Sequence, residues 1–215
     1  MLDFDDGLTN LIVNNNLLRS GHFRLDELYS VRDWIDLDGL FSYELKGAVE
    51  AIISNEKIKT IIEAKKTIIG INHYGAILAA LIGYKYGKPF AYVFDSQKMV
   101  DTLEREIGNI EKDGILLVID VVVFGDSLCK ILDAMYEKRI IDETNGTDVL
   151  IFFERFYKKS DKTRYNLSKL YSKKLIHNVY VINDKFDVEI CNKRREDCIF
   201  RKGNREDNCN TERKV

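Results

Sequence analysis

The sequence predicts an α/β fold in which a mainly parallel sheet is flanked by helices. Short apolar runs of strand length recur along the chain, and several are joined by segments with helical spacing. Runs rich in β-branched residues are typical of strands buried on both faces, as in parallel sheets. The runs lie at residues 67–71, 90–94, 115–119, 148–153 and 178–182.

Composition limits the class of protein. The chain has 215 residues, and 45% of them are hydrophobic, which suits one domain with a proper core. The net charge of −2 gives no general attraction to nucleic acid or anionic membranes. Asp3, Asp5 and Asp6 stand where a secretory signal would be basic, and no apolar run reaches membrane-spanning length. We therefore expect a cytoplasmic protein with neither a membrane nor nucleic acid as partner.

The amino-terminal part predicts helices around an extended segment. Residues 8–18 and 40–53 carry apolar side chains at helical spacing, and residues 57–62 either extend the second helix or form a separate turn. Between the two helices, residues 23–37 favour an extended hood or edge segment.

The middle of the chain predicts a βαβ unit. A strand at 67–71 leads into a turn at 72–75, a helix at 76–86 and a strand at 90–94, an order that implies parallel pairing with a right-handed crossover. Residues 95–112 are polar and charged, and are typical of a mobile loop or a surface hairpin.

The stretch ILLVIDVVVFGDSL at 115–128 organises the rest of the chain. It predicts a buried strand interrupted by Asp120, a turn through Gly125, and a helix from Ser127 to about residue 138. In a parallel sheet, ligands bind at the carboxyl end of such a strand. The alternative is that Asp120 merely ends a strand and Ser127 caps a helix, because such turns are common.

The carboxyl-terminal part predicts two more strands with a helix between them, followed by a tail. Glu154 and Arg155 follow the strand at 148–153, a helix is expected at 165–175, and the last strand is at 178–182. We predict a domain at residues 1–190 and a charged, flexible tail at 191–215. Of the four cysteines, Cys129 is expected in the core, while three lie in the tail at spacings that match no familiar zinc site.

Four stretches share their order with the motifs of a known family. They are GHFRL at 21–25, IIGINHYGAILA at 68–79, VIDVVVFGDS at 118–127 and ER at 154–155. Together they resemble the type I phosphoribosyltransferases, the orotate phosphoribosyltransferase branch in particular. The resemblance covers roughly residues 8–188. It implies that family's fold, with a small amino-terminal hood, and a ribose phosphate or nucleotide as ligand.

The resemblance also implies roles for single residues. Asp120 would hold the ribose and Lys98 the diphosphate, and these two are the candidate catalytic residues. Arg155 would help to hold the base, although it is equally well explained as a strand-end salt-bridge residue. The loop that faces the 5′-phosphate would be Val123, Phe124, Gly125, Asp126 and Ser127, with Tyr74 and Gly75 on the pyrophosphate side. Mg²⁺ would be needed if the family reaction is retained, no protein-built metal site is expected, and a homodimer is implied.

The diphosphoribosyl-binding motif is degenerate at its charged positions. Ile119 stands where the family has the first of two adjacent acids, and Asp126 places a carboxylate near a phosphate dianion, where like charges repel. Phe94-Asp95 replaces an Arg-Lys pair, and Asp26 replaces a lysine. Two hypotheses therefore stay open: a divergent orotate-type phosphoribosyltransferase, or a catalytically silent relative that acts as a nucleotide sensor or interaction module.

Overall fold

The computed structural model describes residues 6–24, 30–53, 55–94, 114–144, 146–155, 165–166, 168–169, 174–184 and 186. The helices with described bounds are α1 (Asp6–Asn14), α2 (Leu37–Tyr43), α3 (Leu45–Ile53), α4 (Glu56–Glu63), α5 (Asn72–Tyr86) and α6 (Asp126–Glu137). Residues 165–166 and 168–169 are also helical, at the start of the helix predicted at 165–175. The strands are β1 (Leu18–Arg24), β2 (Ser30–Ile35), β3 (Thr67–Ile71), β4 (Phe90–Val93), β5 (Ile115–Val122), β6 (Thr147–Glu154) and β7 (Ile176–Asn183).

Strands β3 to β7 form one parallel sheet in the order β4-β3-β5-β6-β7. The predicted fold class is thereby confirmed. All residues of β3 are buried, as are seven of the eight in β6, which is why both strands read as continuous apolar runs. The central position of β5 places its carboxyl end in the middle of the edge where ligands bind in parallel sheets.

The sheet is covered on both faces. On one face, Leu117 and Ile119 of β5 pack with Leu128, Leu132 and Met135 of α6. On the other face, Leu116 and Val118 pack with Leu78 and Ile82 of α5 and with apolar residues of the amino-terminal helices. Helix α6 packs against the face of the sheet that contains Leu117 and Ile119 of β5. This packing fixes the positions of both ends of the β5–α6 loop.

An antiparallel hairpin, β1–β2, and helix α2 form the segment that we call the hood. The expected extended segment is therefore present, but two helix predictions at its borders are wrong. Helix α1 ends at Asn14, so that Leu18 lies in β1. The helix predicted at 40–53 is two helices separated at Glu44, and the second of them is followed by a distinct α4 capped by the side chain of Asn55.

Helix α5 begins at Asn72, four residues earlier than the sequence predicts. Asn72 has a φ of +63°, which turns the chain sharply from β3 into the helix. The first turn then lies directly on the sheet: a Cβ on Gly70 would be 2.3 Å from the Gly75 carbonyl oxygen, and one on Gly75 would be 2.8 Å from the Val118 carbonyl oxygen. Glycine at these two positions permits the approach.

Strand β5 continues past Asp120 to Val122, so Asp120 interrupts the hydrophobic pattern without ending the strand. Several predictions lie outside the described residues: the loop at 95–112 with Lys98, the positions of Asp26 and Asp95, and the tail with its three cysteines. Cys129 is buried in α6, as expected.

Candidate functional site

A cleft of about 180 Å³ lies at the carboxyl end of β5. Its walls are the end of β5, the β5–α6 loop, the first turn of α6 and Trp34 of the hood. Pockets that enclose a whole small molecule measure ~300–1,000 Å³. The cleft therefore has room for one part of a nucleotide-sized ligand. It is lined by Trp34, Ile119, Val121, Val122, Val123, Phe124, Gly125, Asp126, Ser127 and Leu128.

The β5–α6 loop has a defined shape. Gly125 caps α6 in the left-handed region at a φ of +79°, and its carbonyl accepts the first helical hydrogen bond, from Cys129 N–H at 2.9 Å. Asp126 and Ser127 form the first turn of the helix. The backbone N–H groups in the first turn of a helix point out of its amino-terminal end, which here is the end that borders the cleft.

Asn166 holds this loop from outside. Its buried side chain donates to the Phe124 backbone carbonyl and to Asp126 Oδ1, each at 2.8 Å. The backbone carbonyl of Asn166 accepts from Cys129 Sγ at 3.6 Å. The conformation of the loop is thus fixed by a residue 40 positions further along the chain than Asp126. Sequence reasoning missed Asn166 because no local pattern marks it.

Arg155 fastens the hood to the sheet. Its side chain is fully buried, and its guanidinium is ion-paired with Asp33 of β2. It also donates to the carbonyls of Phe186, at 3.1 Å, and of Asp33, at 3.4 Å, and lies 5.6 Å from the centre of the Trp34 ring. These contacts place the indole at the mouth of the cleft, a role that the sequence analysis did not assign to Trp34.

Asp120 belongs to a second group beside the cleft. The half-buried carboxylate accepts the Val121 N–H at 2.7 Å and interacts electrostatically with His73 and Tyr74, in the first turn of α5. Tyr74 stacks on Phe41 at 4.8 Å and donates its hydroxyl hydrogen to Asp38. Burial and the neighbouring carboxylate of Asp38 raise the pKa of Tyr74, so the phenol stays protonated at neutral pH.

Burial raises the pKa of Asp120 from 3.8 to about 6, although the Val121 N–H and His73 act in the opposite direction. The charged form is therefore disfavoured in the folded protein relative to the unfolded chain. This penalty is absent below pH 3.8 and fully present above pH 6, so it lowers stability as the pH rises. With an allowance for partial exposure, it amounts to about 2 kcal/mol.

We expect Asp120→Asn to raise the free energy of unfolding by about 2 kcal/mol at pH 8 and to leave it nearly unchanged at pH 3, below both pKa values, because the amide is never charged. Urea denaturation at the two pH values measures the difference. Glu50→Gln, which removes an exposed carboxylate, serves as the control and should change little at either pH. A destabilised Asp120→Asn at pH 8 would show that the carboxylate is favourably held.

The structure brings some of the predicted site residues together and separates others. Val123, Phe124, Gly125, Asp126 and Ser127 line the cleft, as a group. Asp120 and Tyr74 form the neighbouring group, Gly75 is buried in the first turn of α5 against Val118 of β5, and Arg155 lies under the hood. Their predicted roles in binding a ligand remain predictions.

Solved structures with the same arrangement are phosphoribosyltransferases. The orotate phosphoribosyltransferase of Aeropyrum pernix superposes with a TM-score of 0.61 at 18% identity, covering 82% of this chain and 92% of that one. The orotate phosphoribosyltransferase of Francisella tularensis gives a TM-score of 0.54 at 20% identity (85% and 84% covered), and the APRTase of Giardia lamblia gives 0.52 at 14% identity (80% and 96% covered).

This is the type I phosphoribosyltransferase fold. No family model and no curated protein matches the sequence. The likeness to solved phosphoribosyltransferases therefore concerns the architecture alone.

The resemblance to phosphoribosyltransferases implies Mg²⁺ only if their reaction is retained. Within the described ranges, no three His, Cys, Asp or Glu side chains lie close enough to share a metal ion. The described side chains thus do not build a magnesium site of their own. In the same ranges, no helix has the length and apolar character needed to cross a membrane. The expected cytoplasmic location remains a prediction.

Proposed function

We propose that this protein binds a nucleotide, or a ribose-containing fragment of one, over the carboxyl end of β5, and that it does so without efficient pyrophosphate-releasing catalysis. The observation that carries the proposal is the cleft between Trp34 and the β5–α6 loop, on a fold otherwise found in phosphoribosyltransferases. Asp120, next to the cleft on the same strand, is proposed to face the ribose hydroxyls.

The proposed weakness in catalysis follows from charge. The family reaction releases pyrophosphate, and its catalysis is mainly electrostatic, so each lost contact typically lowers the rate about 10²- to 10³-fold. None of the described residues that line the cleft is Lys or Arg, and the buried Arg155 is paired with Asp33. A binding protein of nucleotide metabolism fits these side chains better than a fast transferase.

Isothermal titration with a panel of nucleosides, their 5′-monophosphates and ribose 5-phosphate tests the binding proposal. We expect at least one compound to bind saturably. Trp34→Leu should weaken that binding at least 10-fold, because stacking on an aromatic side chain contributes about 1–3 kcal/mol per base. Tyr136→Leu removes an exposed aromatic side chain at the far end of α6 and should leave the affinity unchanged. If no compound binds, the proposal is wrong.

We also propose a homodimer that pairs β4 with β4 of a second copy. Strand β4 is at the edge of the sheet, and Phe90, Tyr92 and Phe94 are 40–49% exposed in a row along it. An exposed edge with a row of aromatic side chains favours association, and antiparallel pairing about a two-fold axis would set each row against its copy.

Tyr92→Lys should convert the proposed dimer to a monomer, because it places a charge at the centre of the aromatic row. Light scattering coupled to size-exclusion chromatography measures the mass of each form. Tyr136→Lys, a matched change on α6, should remain dimeric. A monomeric wild type, or a dimeric Tyr92→Lys variant, would contradict the pairing of β4.

A further inference from the structure

One face of α6 is held against the short helical segment that contains Asn166 and Lys169, which we call the bracing segment. Asp126, Cys129 and Asp133 are successively three and four positions apart, a spacing that places them on one face of α6. Asn166 meets the first two: its side chain donates to Asp126, and its backbone carbonyl accepts from Cys129. Lys169 is ion-paired with Asp133. The bracing segment therefore lies along two turns of α6, starting at the loop that borders the cleft.

The side chain of Asn166 is fully committed to that loop. It is 6% exposed, and both of its partners, the Phe124 carbonyl and Asp126 Oδ1, are acceptors at 2.8 Å. The amide nitrogen of asparagine carries two hydrogens, so both are used, and only this orientation of the amide fits two acceptors. Asn166 is not among the described residues that line the cleft, so it supplies these donors from behind the wall.

This arrangement determines where the acidic residue in the wall places its charge. Asp126 Oδ1 is bound by Asn166, and Asp126 has a further partner within the protein. Its carboxylate is therefore held on the side of α6 that faces the bracing segment. The backbone N–H groups of the first turn of α6 point towards the cleft, where they favour an anion. A carboxylate released from Asn166 would repel such an anion, because like charges at contact distance repel wherever water is partly excluded.

We propose that Asn166 is a positioning residue of the proposed site: it holds the Asp126 carboxylate against the bracing segment and thereby keeps the β5–α6 loop able to accept the phosphate of a nucleotide. The inference rests on the proposed function, because it assumes that a nucleotide binds over the carboxyl end of β5. Asn166 acts through Asp126 and Phe124 rather than by contact with the ligand. It also accounts for an acidic residue in a loop whose helix start favours anions.

The ratio of two affinities tests this role. Isothermal titration of the full chain at pH 8 compares the best-bound nucleoside 5′-monophosphate with its nucleoside, which lacks only the phosphate. We expect the wild type to bind the monophosphate more tightly. Asn166→Ala should lower the monophosphate-to-nucleoside ratio about 10-fold or more, with a much smaller change in the affinity for the nucleoside. A variant that merely loosened the cleft would lose affinity for both compounds alike, and an unchanged ratio would overturn the inference.

Lys169→Gln is the matched control. It breaks the contact of the bracing segment with Asp133, but it leaves the two donors of Asn166 at the loop. We expect this variant to keep the wild-type ratio of affinities. An equal fall of the ratio in both variants would assign the effect to the packing of the bracing segment and would contradict a specific role for Asn166.

An exchange of the two side chains tests whether the charge of Asp126 is the cause. In the double variant Asp126→Asn/Asn166→Asp, the new amide donates to the new carboxylate, so the hydrogen bond is formed again and the charge lies behind the wall. The ratio should return close to the wild-type value. A ratio as low as that of Asn166→Ala would contradict the proposed mechanism.

Hydrogen exchange of the wild-type protein gives a test that does not depend on the folding of any variant. The monophosphate should slow exchange at residues 165–169 together with the β5–α6 loop, because the two are joined through Asn166. Protection confined to the loop would count against the inference.

The outcomes separate this inference from the proposed function. If neither compound binds, the proposed function fails, and the inference fails with it. If the wild type binds the nucleoside as tightly as the monophosphate, or if Asn166→Ala keeps the wild-type ratio, the inference alone is wrong and the proposed function stands.

Discussion

Replacing Arg155 by leucine is expected to lower the free energy of unfolding by about 3–5 kcal/mol, because it leaves one partner of a buried ion pair without the other. The Arg155 side chain is completely buried, and that of Asp33 is 23% exposed. The substitution also removes the donor to the Phe186 carbonyl and the cation beside Trp34. Urea denaturation of the purified variant measures the change.

Arg19→Leu is the matched control. Arg19 is also in the hood and ion-paired, at 2.9 Å from Asp36, but its side chain is 55% exposed. Exposed pairs typically contribute 0–1 kcal/mol, so this variant should be nearly as stable as the wild type. A double-mutant cycle with Asp33→Asn should give a total destabilisation below the sum of the single changes. An Arg155→Leu variant as stable as the Arg19→Leu control would show that Arg155 does not hold the hood.

Gly70→Ala is expected to destabilise the protein by about 3 kcal/mol, near the upper end of what overpacking usually does. The added Cβ would lie 2.3 Å from the Gly75 carbonyl oxygen and 2.6 Å from Ala76 Cα. These are backbone atoms of the first turn of α5, so relief requires moving the helix rather than rotating a side chain.

Gly47→Ala provides the comparison for Gly70→Ala. Its Cβ would lie 2.7 Å from Leu11 Cδ1, the end of a flexible side chain that can rotate away. Alanine is also favoured over glycine in a helix by about 1 kcal/mol, so this variant should be close to the wild type. Equal destabilisation of the two variants by chemical denaturation would mean that α5 does not press on β3 as described.

The sequence predicts the central strands β3, β5 and β6 well, because strands buried on both faces have to be almost entirely apolar. It also predicts the five loop positions from Val123 to Ser127, since a strand, a glycine turn and a helix follow one another within a few residues. The order of strand, turn and helix at this loop is local, so the sequence alone reveals it; the ligand-binding roles of these residues remain predictions.

The remainder of the site depends on contacts between distant parts of the chain. Arg155 pairs with Asp33, which lies 122 positions away in the sequence, and no pattern of hydrophobic residues relates the two positions. Trp34, the single tryptophan, was predicted to be extended, but its place in the cleft follows from that long-range ion pair. The start of α5 was missed because Asn72 and Gly75 disfavour a helix, and packing on the sheet outweighs that preference.

The most direct test of the central claim is isothermal titration of the wild-type protein with phosphoribosyl pyrophosphate in the presence of Mg²⁺, beside an active orotate phosphoribosyltransferase. The claim is that a phosphoribosyltransferase fold persists here with neither Lys nor Arg among the described residues that line the cleft. It predicts no saturable binding at concentrations that saturate the active enzyme. Micromolar binding of phosphoribosyl pyrophosphate would contradict it and would favour a divergent but working transferase.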